Sequence, residues 1–299
     1  MVSVIIPTYG GGDGLEKVVE SILDQSYRDI EIIIVDDNGF GSDNQKKTAE
    51  VLREYIKHGK VQYITPAKNA GGSAARNTGA RASKGDYLMF LDDDDTVSPD
   101  KIEKQVKALC DPDRKYGISY CSTKVFIDGK VSNTIRARES GDILYRYMMG
   151  KVYMGTGTAL MIREAWESLG GYDESFVRHQ DWEFFARVLN KYEAVAVPDA
   201  YFNRFITNRN LPQNLDVLEK YCDHYVSFLK RYQFRISNRR IRNVINRNNA
   251  RIALRCIKEK DISRLMRTLS KYDKLPNACI SFACFCFSVC ADRIIGKKT

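Results

Sequence analysis

Short apolar runs alternate with amphipathic stretches through the first hundred residues, and this rhythm limits the folds open to the chain more than any other feature. Val2–Pro7, Glu31–Val35, Val61–Ile64 and Tyr87–Leu91 read as strands. Between and after them, Leu15–Leu23, Asn44–Ile56, Ser73–Arg81 and Lys101–Leu109 carry helical periodicity, the last one following Pro99. The β-branched cores of the runs are free of charge, as in strands covered on both faces by helices. The pattern predicts an α/β fold with a mostly parallel central sheet flanked by helices. Beyond residue 110 the rhythm loosens. Gly117–Ile127, Thr158–Ile162, Ala194–Val197 and Tyr201–Ile206 read as strands and Asp181–Leu189 as a helix. From Leu215 onward the text is helical, with breaks at Pro212 and Pro276.

Composition supports a folded chain. Of 299 residues, 43% are hydrophobic and 28% charged, enough apolar surface to offset the entropy of ordering. Eight cysteines without a CxxC pair make neither a disulfide scaffold nor a zinc site, and they suit a reducing compartment. Met1–Tyr9 lacks the basic-then-apolar pattern of a secretory signal. The most apolar run, Ala278–Ala291, would span roughly 21 Å as a helix against about 30 Å of hydrocarbon, too short to cross a membrane unaided. The net charge of +9 is unevenly placed. Residues 228–275 hold fifteen Lys or Arg against three acids, while residues 1–227 are mildly acidic.

In open parallel sheets, ligands bind beyond the carboxyl ends of the strands. Here those ends carry Pro7-Thr8-Tyr9, then Asp36-Asp37, then the run Asp92-Asp93-Asp94-Asp95. Adjacent carboxylates repel by about 1–4 kcal/mol per close pair, so four in a row call for a cation or a proton. If the backbone stays extended past Leu91, Asp92 and Asp94 face one way and Asp93 and Asp95 the other. That DxD pattern suits a hard divalent ion shared with substrate phosphates. The plainer reading is a solvated acidic turn capping the helix after Pro99. An acid after a glycine-rich first loop also raises a dinucleotide fold, but the G-x-G-x-x-G spacing fails at Leu15 and Lys17. Asp181 opens a helix, either as its N-cap or as a general base at the rim. His179 beside it has no assigned partner, and spacing assembles no Ser-His-Asp or Cys-His set.

Four segments, VSVIIPTY (2–9), IIIVDDN (32–38), KNAGGSAARNTGARASKGDYLMFLDDDD (68–95) and GGYDESFVRHQDWEFFARV (170–188), occur in an order and spacing that resemble the inverting GT-A glycosyltransferases of family two. The resemblance runs from about Val2 to Phe205. It implies the GT-A nucleotide-diphospho-sugar transferase fold and transfer from a nucleotide sugar, a UDP-sugar foremost, to a glycan or lipid-linked acceptor of bacterial surface polysaccharide. It implies that Pro7, Thr8 and Tyr9 line the base, that Asp37 accepts from a uracil ring and that Arg76 lies near the nucleotide or the acidic loop. It implies further that Asp93 approaches the ribose, that Asp94 with Asp92 ligates Mn²⁺ or Mg²⁺, and that Asp181 is the catalytic base. Two positions depart from the family pattern. Gly10 stands where Asn is usual, and Gln180 stands where an acid commonly precedes the base. A catalytically silent sugar-nucleotide or glycan-binding module on the same fold is the alternative.

The expected layout is a catalytic domain over 1–210, divided into a nucleotide-sugar half (1–110) and an acceptor half (111–210), followed by a helical basic region over 211–299. No recognition motif accompanies the basic charge, so nucleic acid is not the expected partner. An anionic membrane surface engaged through 228–299 is, with the protein peripheral on the cytoplasmic face.

Overall fold

The computed structural model describes residues 1–10, 12, 14–111, 116–206 and 214–271. The chain divides into two compact units, Met1–Leu211 and Pro212–Thr299.

The first unit opens with strand β1 (Val2–Thr8), helix α1 (Leu15–Leu23), strand β2 (Ile30–Asp36), helices α2 (Asp43–Val51) and α3 (Arg53–Lys57), and strand β3 (Gln62–Ile64). Helix α4 (Gly72–Ala82), strands β4 (Tyr87–Phe90) and β5 (Thr96–Val97), and helix α5 (Lys101–Leu109) follow. Next come β6 (Tyr116–Ile127), β7 (Lys130–Ile135), α6 (Leu144–Met148), β8 (Ala159–Ile162), α7 (Arg163–Glu167), α8 (Gln180–Lys191) and β9 (Glu193–Ile206). The nine strands form one sheet in the order β3-β2-β1-β4-β8-β6-β9-β5, with β7 paired to β6. The first four sheet positions are parallel. From β4 on, the sheet is mixed: β8 runs antiparallel to both neighbours, and β9 parallel to β6.

Strand alternation sorts the core onto two faces. Val2, Val4, Ile6, Ile32 and Ile34 pack with Leu15, Val18, Val19 and Ile22 of α1 on one side. Ile33 and Val35 pack with Ala75 of α4 on the other. Each such buried side chain contributes roughly 1.5–3 kcal/mol. Helix α4 lies hard against the sheet because Gly79 has no side chain. A Cβ there would stand 2.4 Å from Ile5 Cγ2. A mid-helix glycine costs about 1 kcal/mol in propensity, and here that cost secures a close approach.

Several expected elements differ in detail. The stretch Asn44–Ile56 turns at Leu52 into two helices, because Leu52 points fully into the core while Val51 and Ile56 stay exposed. The two strands expected at Ala194–Val197 and Tyr201–Ile206 are one strand, β9. Its pairing with β6 jumps from Val197 to Tyr201, so Pro198, which has no N–H to give, bulges out with Asp199 and Ala200. The strand expected from Thr158 starts at Ala159, after a 3₁₀ turn at Thr156–Thr158. The hairpin partner β7 was not anticipated, although Asp128-Gly129, both at positive φ, is the signature of a two-residue hairpin turn.

The second unit contains α9 (Leu215–Arg231), α10 (Asn238–Glu259) and α11 (Ile262–Ser270). Each helix starts at a side-chain cap: Asn214, Ser237 and Asp261 accept from Val217, Arg240 and Arg264 N–H groups. Leu215, Cys222, Ile252 and Cys256 form its apolar centre, with Leu218 and Leu265 packed against them. Arg264 bridges to Asp216, and Lys271 to Glu219 and Asp223. Pro212, Pro276 and the apolar run Ala278–Ala291 lie outside the described residues. Among the described residues no helix is long and apolar enough to cross a membrane.

Candidate active site

The strand ends β1, β2 and β4 meet at one rim. The buried Thr8 hydroxyl donates to Asp93 Oδ2 at 2.6 Å, and the Tyr9 N–H donates to the same oxygen at 3.3 Å. Tyr9 itself stands 64% exposed, an unpacked aromatic ring at the lip. Asp36 is fully buried and faces inward. It accepts from the Asn38 N–H and side-chain amide and from the Tyr63 hydroxyl, and Asn38 in turn accepts from Gly10 N–H. Asp36 therefore shapes the loop after β1. Asp37 is the acid that meets α4: Ala70 N–H reaches Oδ1 at 2.9 Å and Gly71 N–H reaches Oδ2 at 2.8 Å. Gly71 holds φ +91°, a conformation that side chains resist, and this turns both N–H groups onto the carboxylate. Each Asp37 oxygen keeps acceptor capacity beyond these bonds.

The four aspartates do not alternate as an extended strand. β4 ends at Phe90, and Asp95 N–H closes a turn onto Asp92 O. The acids point to different partners. Asp92 takes a 2.5 Å bond from Arg76 Nη2, Asp93 serves Thr8 and Tyr9, and buried Asp95 accepts Phe205 N–H at 2.9 Å. The run does not cap the following helix either, which begins after Asp100. Burial pushes the Asp95 carboxyl up to about 8, and the negative charges of Asp92 and Asp94 add to that push. The Phe205 N–H and Arg204 offset part of that push, and the all-oxygen donor set suits a hard divalent cation that completes its shell with water or phosphate oxygens. Among the described residues no three His, Cys, Asp or Glu side chains form a complete metal cage.

Asp181 lies inside the first turn of α8; the N-cap position belongs to His179, held at φ +59° and stacked on Trp182 with ring centroids 4.3 Å apart. The Asp181 carboxyl is closely surrounded. Burial raises it to about 6, the Trp182 N–H and then the Arg76 guanidinium pull it down, and Asp92 pushes it up. The base candidate thus stands within electrostatic reach of the acidic turn. Tyr147 donates its hydroxyl to Asp181 O at 3.2 Å, and Arg204 Nη1 reaches the Tyr153 hydroxyl at 3.3 Å.

Helix α4 joins the two sides. Asn77 Nδ2 donates to Tyr172 O and Glu174 Oε1, both at 2.9 Å, and Tyr172 N–H returns a bond to Asn77 Oδ1 at 2.8 Å. A Cβ at Gly171 would fall 2.5 Å from Asn77 Oδ1, so only glycine admits this contact. One turn earlier, the Ser73 hydroxyl lies 2.8 Å from Gln180 Oε1 and 3.1 Å from Phe176 O. Arg76, on the same helix, lies over the Tyr172 ring at 5.8 Å. Ser73, Asn77, Tyr153, Tyr172 and Arg204 were not anticipated from the sequence. The readable signal for two of them was polar Ser73 and Asn77 at i, i+4 on one face of a helix that otherwise packs on the sheet.

The sequence matches the model of Glycosyl transferase family 2 over residues 3–169. The chain belongs to that family. It is 31% identical over 244 residues to the uncharacterized glycosyltransferase RP339 of Rickettsia prowazekii, covering 77% of this chain and 72% of that one. It is 28% identical over 192 residues to the amylovoran biosynthesis glycosyltransferase AmsB of Erwinia amylovora, and the match spans 62% of each chain. The fold is that of solved GT-A transferases. S. aureus TarS 1-349 in complex with UDP-GlcNAc superposes with a TM-score of 0.66 at 14% identity, covering 91% of this chain and 80% of that one. The mannosyltransferase PcManGT of Pyrobaculum calidifontis, in complex with GDP-Man and Mn²⁺, gives 0.60 at 18% identity, covering 97% and 80%. As a family 2 member the chain is a glycosyltransferase, and the rim of β1, β2 and β4 with Asp181 opposite is its candidate active site.

Proposed function

We propose that this family 2 chain is a metal-dependent inverting transferase. It takes a hexosyl or N-acetylhexosaminyl group from a nucleotide sugar, a UDP-sugar in the first instance, and passes it to a glycan or lipid-linked oligosaccharide in polysaccharide biosynthesis. The observation that carries this reading is that buried Arg76, bonded to Asp92 of the acidic turn, also acts electrostatically on Asp181 at the start of α8. A cation-holding acid and a moderately basic carboxylate then border the same reacting space.

The chain's residues divide the work. Pro7, Thr8 and the exposed ring of Tyr9 flank the base, and Asp37 offers its spare lone pairs to a ring N–H. Asp93, fixed by Thr8, faces the ribose. Asp92 and Asp94 hold Mn²⁺ or Mg²⁺, which when bound offsets charge growing on the leaving diphosphate. Asp181 accepts the proton of the acceptor hydroxyl as the acceptor oxygen bonds to the anomeric carbon and the bond to the diphosphate breaks. A single displacement inverts that carbon. A carboxyl near pH 6 suits the task, being ionised at neutral pH yet more basic than a free aspartate.

Residues 1–110 form the donor half and 111–210 the acceptor half, with Tyr147–Thr158 as the acceptor-side loop beside Asp181. Residues 228–299 engage an anionic membrane from the cytoplasmic side, where lipid-linked acceptors are met. Relatives point in this direction: AmsB is an amylovoran biosynthesis glycosyltransferase and TuaG of Bacillus subtilis is a putative teichuronic acid biosynthesis glycosyltransferase. TarS with UDP-GlcNAc and PcManGT with GDP-Man and Mn²⁺ support a nucleotide-sugar donor and a divalent ion.

The test is a panel of UDP- and GDP-sugars with the purified chain, with and without Mn²⁺, read as nucleoside diphosphate release. Metal-dependent release from at least one UDP-sugar is expected. Release that ignores a chelator removes the metal, and a response to GDP-sugars alone removes UDP as the donor nucleotide.

A further inference from the structure

We propose that the turn between α10 and α11 is the lipid-contacting surface of the second unit: Ile257, Ile262 and Met266 sink into an anionic leaflet, and Lys258, Lys260 and Arg267 meet its headgroups. This rests on the reading of residues 228–299 as membrane-facing and narrows it to six side chains. Helix α11 carries Ile262, Leu265, Met266 and Leu269, the i, i+3, i+4, i+7 stripe that a helix of a folded unit ordinarily turns inward. Here the helix is seated by a different edge. Its buried residue is Thr268, Leu265 is the one apolar side chain packed on the centre of the unit, and Arg264 ion-pairs with Asp216 of α9. Just past the helix, Lys271 pairs with Glu219 and Asp223. Ile262 is left 72% exposed and Met266 59%. Ile257, in the last turn of α10, is 46% exposed. The turn itself is closed by Lys260 N–H on Ile257 O at 3.2 Å and Asp261 N–H on Cys256 O at 2.9 Å, so Ile257 and Ile262 stand on either side of a fixed corner.

Charge decides what covers this surface. Glu259 is taken by Arg255 and Asp261 by Arg264, which leaves Lys258, Lys260 and Arg267 exposed and outside any ion pair among the described residues. Lys260 holds φ +59° at the corner, a left-handed position where glycine is usual, so a cation is kept at the tip at a conformational cost. A second copy meeting this surface about a two-fold axis would set the three cations against their own images. The run Ala278–Ala291 contains no charged residue, so in covering Ile262 and Met266 it would leave the cations unmet. An anionic leaflet answers both demands, with acyl chains for the apolar side chains and phosphates for the cations. Helix α11 has nine residues, about 14 Å of helix, which suits a segment lying in the plane of the interface.

The experiment is flotation of the full chain with phosphatidylcholine vesicles, with and without phosphatidylglycerol, at low and high salt. Wild type is expected to float with the phosphatidylglycerol vesicles at low salt. Ile262→Ser combined with Met266→Ser lowers its partition coefficient by about tenfold or more, since two apolar side chains no longer leave water. Lys258→Gln, Lys260→Gln and Arg267→Gln together lower it by about a hundredfold at low salt, and the difference shrinks at high salt. All five positions are exposed, so without vesicles both variants should melt with wild type. If wild type floats and either variant floats equally well, the proposal is overturned, while the membrane reading of residues 228–299 stands on other side chains. If wild type stays behind in every vesicle, both fall. A lower melting temperature, or a change from dimer to monomer, in the Ile262→Ser, Met266→Ser variant without vesicles would also overturn the proposal, because the stripe would then be covered by the chain itself or by a second copy.

Discussion

The two halves of the first unit hold their reactive groups in different ways. In residues 1–110 the strands are parallel and regular, and Asp36 and Asp37 are gripped by backbone N–H groups and side chains of the same half. In residues 116–206 the sheet is mixed and irregular. The segment before Asp181 is held by bonds that reach back to Ser73 and Asn77 of α4. A local, self-sufficient donor rim is thus joined to a base that depends on a foreign helix. The difference teaches that α4 does two tasks with two faces: one lies on the sheet through Gly79, the other fixes where the base stands.

Substitutions that separate the halves put this contrast at risk. Asp94→Ala strikes the rim alone. Initial rates with Mn²⁺ should fall by about three orders of magnitude and lose their response to chelator, and a rate within about tenfold of wild type would free Asp94 from the metal. Asn77→Ala strikes the link and leaves the Tyr172 N–H and C=O unpartnered. Urea unfolding should show a loss of about 3 kcal/mol, and an unchanged midpoint would mean the acceptor half stands by itself. Asp37→Asn weakens the two backbone bonds that wrap the donor loop. Donor affinity should drop by about tenfold at nearly unchanged maximal rate, and a drop in rate with constant affinity would contradict the assignment. Ser73→Ala removes one hydroxyl from the link, with an expected cost of about 1 kcal/mol or less; a loss equal to that of Asn77→Ala would make Ser73 the stronger tie.

Much of the first half was legible because its signals are local. Charge-free β-branched runs and amphipathic spacing lie within windows of ten residues, and α1, α4 and α5 fall where periodicity puts them. The acidic rim was legible too, since strand ends follow from strands. What escaped depends on distance along the chain. Whether Asp36 or Asp37 faces the cleft is decided by Tyr63, Asn38 and the Ala70–Gly71 turn, not by the dipeptide. The turn at Asp92–Asp95 is set by Phe205 and Arg76, which no spacing rule connects to it. The single long β9 required knowing that β6 tolerates a bulge at Pro198. Asp181 was readable as a candidate but not as a group that feels the charge of Asp92, since spacing along the chain says nothing of that.

The wild-type rate should fall as pH drops through about 6, where the Asp181 carboxyl takes up its proton and ceases to be a base. The most direct measurement is single-turnover sugar transfer by Asp181→Asn at saturating donor, which keeps the side chain's shape and removes its proton affinity. The account predicts a rate lower by about 10²–10⁴ with donor binding intact. A wild-type rate from that variant would contradict it.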